Sequence, residues 1–160
     1  MSDPPKEYDY DPRHLSPDAL AAIGLVATCG AQTESLLTFV IGGCLGLEDA
    51  RAFVATVGMT ATMKLDEARR AAGIRFDDSN TRTELNRLLD SVGEALNKRD
   101  GLVLTNWFQD PETTHLFRRA IVGGVALEMI PVPLIRLAAE ADFIYRAGHA
   151  LMSFVDRHGL

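Results

Sequence analysis

The residues able to do chemistry in this chain gather in LNKRDGLVLTNW, positions 96–107, where Arg99 and Asp100 stand together ahead of the single tryptophan, Trp107. Apolar residues at Leu85, Leu88, Leu89, Val92, Leu96 and Val103 recur at helical spacing, and that stripe carries Arg99 with it. A guanidinium set among apolar side chains is expensive unless a carboxylate meets it. The apolar segment from Ala19 to Leu47 holds one charged residue, Glu34. Glu34 and Arg99 are therefore expected to pair across two packed helices; the alternative is that one of them reaches solvent at the rim.

The four histidines offer less. His115 follows Trp107 by eight residues, near enough to reach back toward Arg99, or else is an exposed residue at a strand end. His149 shares a polar face with Asp142, Arg146 and Ser153, His14 lies in an N-terminal arm, and His158 is expected at a loose, fraying end of the last helix. None has metal-ligand spacing to another His or to Cys, so neither a metal nor a cofactor is expected. Cys29 and Cys44 lie in one apolar segment, which suits two reduced core thiols of a cytoplasmic protein rather than a disulfide framework. Arg69-Arg70 and Arg118-Arg119 are the adjacent arginine pairs. They read either as a phosphate site or as surface charges, with Arg119 then held by Glu128. Gly42, Gly43 and Gly46 fall toward a helix C-terminus, the wrong end of the dipole for an anion.

The run LNKRDGLVLTNW, behind a long first helix with a central Glu, resembles the HEPN superfamily of four- and five-helix domains. In that family a helix carries Arg, a polar residue, a few more residues, then His and an aromatic. Arg99 matches the family Arg, Asp100 stands where Asn is common, Asn106 adjoins the aromatic, and Trp107 matches it. The His position is Leu104. The resemblance implies a helical homodimer in which the family's Arg and His meet across the interface to cleave RNA. Leucine can neither give nor take a proton, so the same resemblance implies a non-catalytic relative here. Three functions follow from it: a structural, regulatory or partner-binding module; a metal-independent endoribonuclease using Arg99, Asp100 and a substitute such as His115; or a nucleotide- or anion-binding module at Arg99.

The elements that must position these residues can be read from caps and periodicity. Residues 1–15, rich in proline and acid, form an expected flexible arm, unlike the charged-then-apolar order of a secretory signal; residues 16–160 form one helical domain. Ser16-Pro17-Asp18 starts a first helix that runs to Cys44 or Leu45. A short helix spans Glu48 to Val57, a third opens at Thr60 and stops at Gly73, and DDSN caps the fourth. Two strand-like runs flank Gly123-Gly124, a two-residue turn that would set Arg119 opposite Glu128. A final amphipathic helix spans residues 134–158. The expected fold is mainly α, a four- to five-helix up-and-down bundle with a small β-hairpin near residues 114–130.

The formal net charge of −6, with 22 acidic against 16 basic residues, argues against a dedicated nucleic-acid binder while leaving a local basic patch open. The polar cluster Gln32, Thr33, Glu34 and Ser35 argues against a membrane span in the first helix. Its face LLTFVIGGCLGL, together with the fourth helix, is the expected homodimer surface; alternatively the hairpin and last helix cover it within one chain.

Overall fold

The protein is described by a computed structural model covering residues 11–110, 115–122 and 126–160, with residues 120–122 and 126–127 described by their backbone. It is mainly helical. Five helices, α1 (Pro17–Leu45), α2 (Asp49–Thr56), α3 (Ala61–Arg75), α4 (Ser79–Val103) and α5 (Leu134–His158), accompany a small antiparallel sheet of β1 (Trp107–Gln109), β2 (Leu116–Val122) and β3 (Ala126–Pro131), in the order β1-β2-β3.

Side-chain caps explain why several helices begin where they do. The Ser16 hydroxyl accepts from the Ala19 N–H at 3.2 Å, the Thr60 hydroxyl from Met63, and the Asp78 carboxylate from Thr81 at 2.7 Å. At the far end of α1, Gly46 takes the left-handed conformation, φ 65°, that lets the chain reverse into α2. Ahead of α1, Asp11 caps a 3-10 turn at Pro12–His14, and Leu15 is buried in the core.

α1 is the central element. It packs most extensively against α5 and also against α3, α4 and α2, burying Val26, Leu37, Val40 and Ile41. These meet Leu85, Leu89, Val92 and Leu96 of α4 and Leu137, Ile144, Leu151 and Phe154 of α5 in one core. By length and composition α1 could also cross a membrane. Its polar centre is tied into the protein: the buried Thr33 hydroxyl donates to the Ile144 carbonyl of α5 at 3.2 Å.

Four expectations change. Gly73 does not end α3, which continues two residues to Arg75; the stop is set by Phe76, whose ring packs edge-on against Phe154 at 6.0 Å. His158, expected at a loose end, lies 4.2 Å from the Phe154 ring. The hairpin gains a third strand, β1, too short to show an alternating pattern, with Phe108 buried between half-buried Trp107 and Gln109. The register also slips by one. Arg119 pairs with Met129 and Ala120 with Glu128, so three residues separate the paired Val122 and Ala126, and the proposed turn at Gly123-Gly124 lies outside the described residues.

The glycine-rich end of α1 is covered within the chain, by α2 and the C-terminus. A methyl group at Gly42 would come within 2.7 Å of the Ala52 side chain, and one at Gly43 within 2.4 Å of the Leu160 backbone. That part of the expected dimer face is therefore interior.

Candidate functional site

The structure brings Glu34 and Arg99 together. Arg99 leaves the last turns of α4 with its Nη1 donating to Glu34 Oε2 at 2.8 Å and its Nε donating to Asp100 Oδ1 at 2.7 Å. A second cation completes the group, because Lys64 Nζ from the first turn of α3 donates to Glu34 Oε1 at 3.0 Å. Asp100, Arg99, Glu34 and Lys64 thus alternate in sign and join α4, α1 and α3. The side chains of Arg99, Glu34 and Lys64 are 16%, 22% and 15% exposed, and that of Asp100 is 43% exposed.

Local packing aims the guanidinium. Gly30 lies one helical turn before Glu34, and a Cβ there would fall 2.3 Å from Arg99 Cδ and 2.7 Å from its Cγ. The missing side chain is the saddle over which the arginine stem reaches the acid. Burial pushes the Glu34 carboxyl upward, but its hydrogen bonds and charge interactions with Arg99 and Lys64 outweigh that and hold it below the usual carboxylate range. Burial likewise disfavours the charged Arg99, and its bonds to Glu34 and Asp100 more than restore it. The group pairs two cations with two carboxylates. It clamps three helices.

The remaining motif residues lie around the end of α4. Leu104 is its C-cap and is 80% exposed. Trp107 donates its indole N–H to the Leu102 carbonyl at 2.8 Å, and Arg118 donates Nη1 to the Gly101 carbonyl at 2.9 Å, so two terminal carbonyls of the helix are met by side chains from the sheet. Asn106 accepts the Arg119 N–H through its backbone carbonyl at 3.0 Å. His115 sits at the opposite end of the β1–β2 ladder, where its carbonyl accepts from the Asp110 N–H, and it makes no hydrogen bond to Arg99, Asp100, Glu34 or Lys64. Among the described residues, no group of three or more His, Cys, Asp or Glu side chains comes together to hold a metal ion.

No family model, curated protein or solved structure matches the chain. Lys64 and Gly30 are the participants that sequence reasoning missed. Gly30 left a faint signal, a small residue one turn before the lone acid. Lys64 left none, because nothing in α3 distinguishes it from other surface lysines.

The other arginine pair divides into separate surface contacts: Arg69 reaches Asp90 at 2.7 Å and Asp66 at 3.4 Å, and Arg70 reaches Glu67 at 2.8 Å. Both cysteines are free thiols in buried positions. Burial raises Cys29 and pushes Cys44 up to about 11, against a smaller opposing effect of Arg75. At pH 8 only roughly a thousandth of Cys44 is then thiolate, the reactive form. Cys44 of the native protein is expected to resist iodoacetamide for hours while alkylating within minutes in urea, with mass spectrometry as the readout.

Proposed function

We propose that the chain is a HEPN-like helical module without nuclease chemistry, which assembles as a homodimer and acts as a structural, regulatory or partner-binding component. The observation that carries this reading is the engagement of Arg99. Its Nη1 and Nε are committed to Glu34 and Asp100, and position 104 offers hydrocarbon where the ribonucleases of that family place imidazole. General acid–base cleavage needs a group that titrates near the working pH and lies beside the scissile bond. Among the described residues, the polar partners of Arg99 and Glu34 are Asp100 and Lys64 rather than an imidazole. A cytoplasmic setting fits two thiols kept apart in the core.

The homodimer part of the proposal rests on the outward strip of α1. From Leu20 through Ala21, Gly24, Leu25, Thr28, Ala31, Gln32 and Ser35 to Phe39, its exposed positions carry no charge, although 24% of the chain is charged. Leu25 and Phe39 are 51% and 43% exposed, and Tyr145 and Met152 of α5 are exposed beside a groove of about 310 Å³ shared by the two helices. A face without charge meets its own copy without like-charge conflict, as a two-fold interface requires. The strip is about 30 Å long, and a stable dimer would bury ~800 Å² per partner across it and the α5 shoulder.

Sedimentation equilibrium tests the proposal. Wild-type protein is expected to sediment at twice the chain mass at micromolar concentration, and Leu25→Asp with Phe39→Glu at once the chain mass with an unchanged circular dichroism spectrum. Folded wild-type protein is expected to leave bulk RNA intact; cleavage that Arg99→Ala abolishes would overturn the non-catalytic reading.

A further inference from the structure

We infer that the cleft between the C-terminal half of α4, β2 and the start of α5 binds a small phosphomonoester. The cleft is separate from the Arg99 network. It encloses about 350 Å³ and is lined by Glu94, Asn97, Lys98, Gly101 and Leu102 of α4, Arg118 of β2, and Arg136 and Glu140 of α5. That volume lies in the range of small-molecule sites, roughly 300–1,000 Å³.

The charges in the cleft are unevenly satisfied. Lys98 is already engaged, with Nζ 3.2 Å from Glu140 and 3.8 Å from Glu94, and it lies over the Phe143 ring at 4.6 Å. Among the described residues, the two arginines meet no carboxylate. Arg118 gives Nη1 to the Gly101 carbonyl, which anchors the guanidinium at the cleft and leaves its other N–H groups available. Arg136 makes no side-chain hydrogen bond or ion pair among the described residues. Three cations against two carboxylates leave the lining one charge positive in a chain whose formal net charge is −6.

A phosphomonoester fits these groups better than a carboxylate does. It carries about −1.5 to −2 charge at neutral pH and three acceptor oxygens, enough to take two planar guanidinium forks at once. Leu134 begins α5 behind Pro133, which supplies no side-chain cap, and Arg136 lies in the first turn of that helix. Asn97 supplies both a donor and an acceptor for the organic part, and Leu102 supplies apolar floor.

Isothermal titration of the full chain at low salt, with inorganic phosphate, glycerol 3-phosphate and adenosine 5′-monophosphate as probes and adenosine as the control, tests the assignment. Saturable one-site binding of at least one ester is expected, weakening as salt rises. Arg118→Gln and Arg136→Gln are each expected to raise Kd about tenfold with the fold intact by circular dichroism, and Arg119→Gln to leave it unchanged. Absence of saturable ester binding, inorganic phosphate binding as tightly as the esters, or undiminished affinity in the double variant would overturn it. Both arginines belong to one chain, so the result stands apart from the oligomeric state.

Discussion

Glu34→Ala is expected to lower the unfolding free energy by about 2–3 kcal/mol, below the 3–5 typical of fully buried pairs because this network keeps some contact with water. Removing the acid leaves Arg99 and Lys64, 16% and 15% exposed, as two cations without the carboxylate between them. Arg99 keeps Asp100, whereas Lys64 loses the acid it was bonded to. Asp100→Asn, at a side chain 43% exposed, should cost under about 1 kcal/mol. The acid dependence follows from the depressed Glu34 carboxyl. The unfolded chain binds a proton there more readily than the folded one, so the stabilisation is complete above the ordinary value of 4.5 and is lost as pH falls below it toward the depressed folded value. Urea denaturation at pH 7, 5 and 3.5 checks this, and the gap between wild type and Glu34→Gln should narrow at the lowest pH. A gap that stays constant would remove the electrostatic explanation.

Gly148→Val is expected to destabilise by about 3 kcal/mol, because a Cβ at this α5 position would sit 2.6 Å from Thr33 Oγ1 and 3.3 Å from Thr33 Cβ on α1. The clash falls on a buried hydroxyl that donates to the Ile144 carbonyl, so relieving it either parts the two most extensively packed helices or leaves a buried polar group without its partner. Gly73→Ala provides the opposite case. No atom lies within 4 Å of its added methyl, and the helix continues past it, so a gain of up to about 1 kcal/mol is expected. Guanidinium midpoints for the two variants should move in opposite directions.

Helix starts were legible in the sequence because caps are local: Ser16, Thr60 and Asp78 each needed only the backbone three residues onward. The span of α5 was legible for the same reason, bounded by Pro133 and Gly159. The end of α3 was not. Phe76 fixes it by packing against Phe154, a partner 78 positions away in the chain, and no window over Gly73 could reveal that. In the sheet, the appeal of an Arg119–Glu128 pair pointed to a register one step away from the observed one, where Glu128 stands opposite Ala120. At the site, the scarcity of charge in α1 made Glu34 conspicuous. The contribution of Lys64 depends on how α3 lies on α1, which is a tertiary property.

The bond between Trp107 and the Leu102 carbonyl makes the chain's only indole an optical witness. It sits at the joint between the bundle and the sheet, so its emission reports whether those two parts are seated on each other. If the strands peel away before the helices melt, the fluorescence maximum will move to longer wavelength while the far-ultraviolet signal stays put. A single label-free spectrum could then separate loosening of the sheet from collapse of the whole molecule.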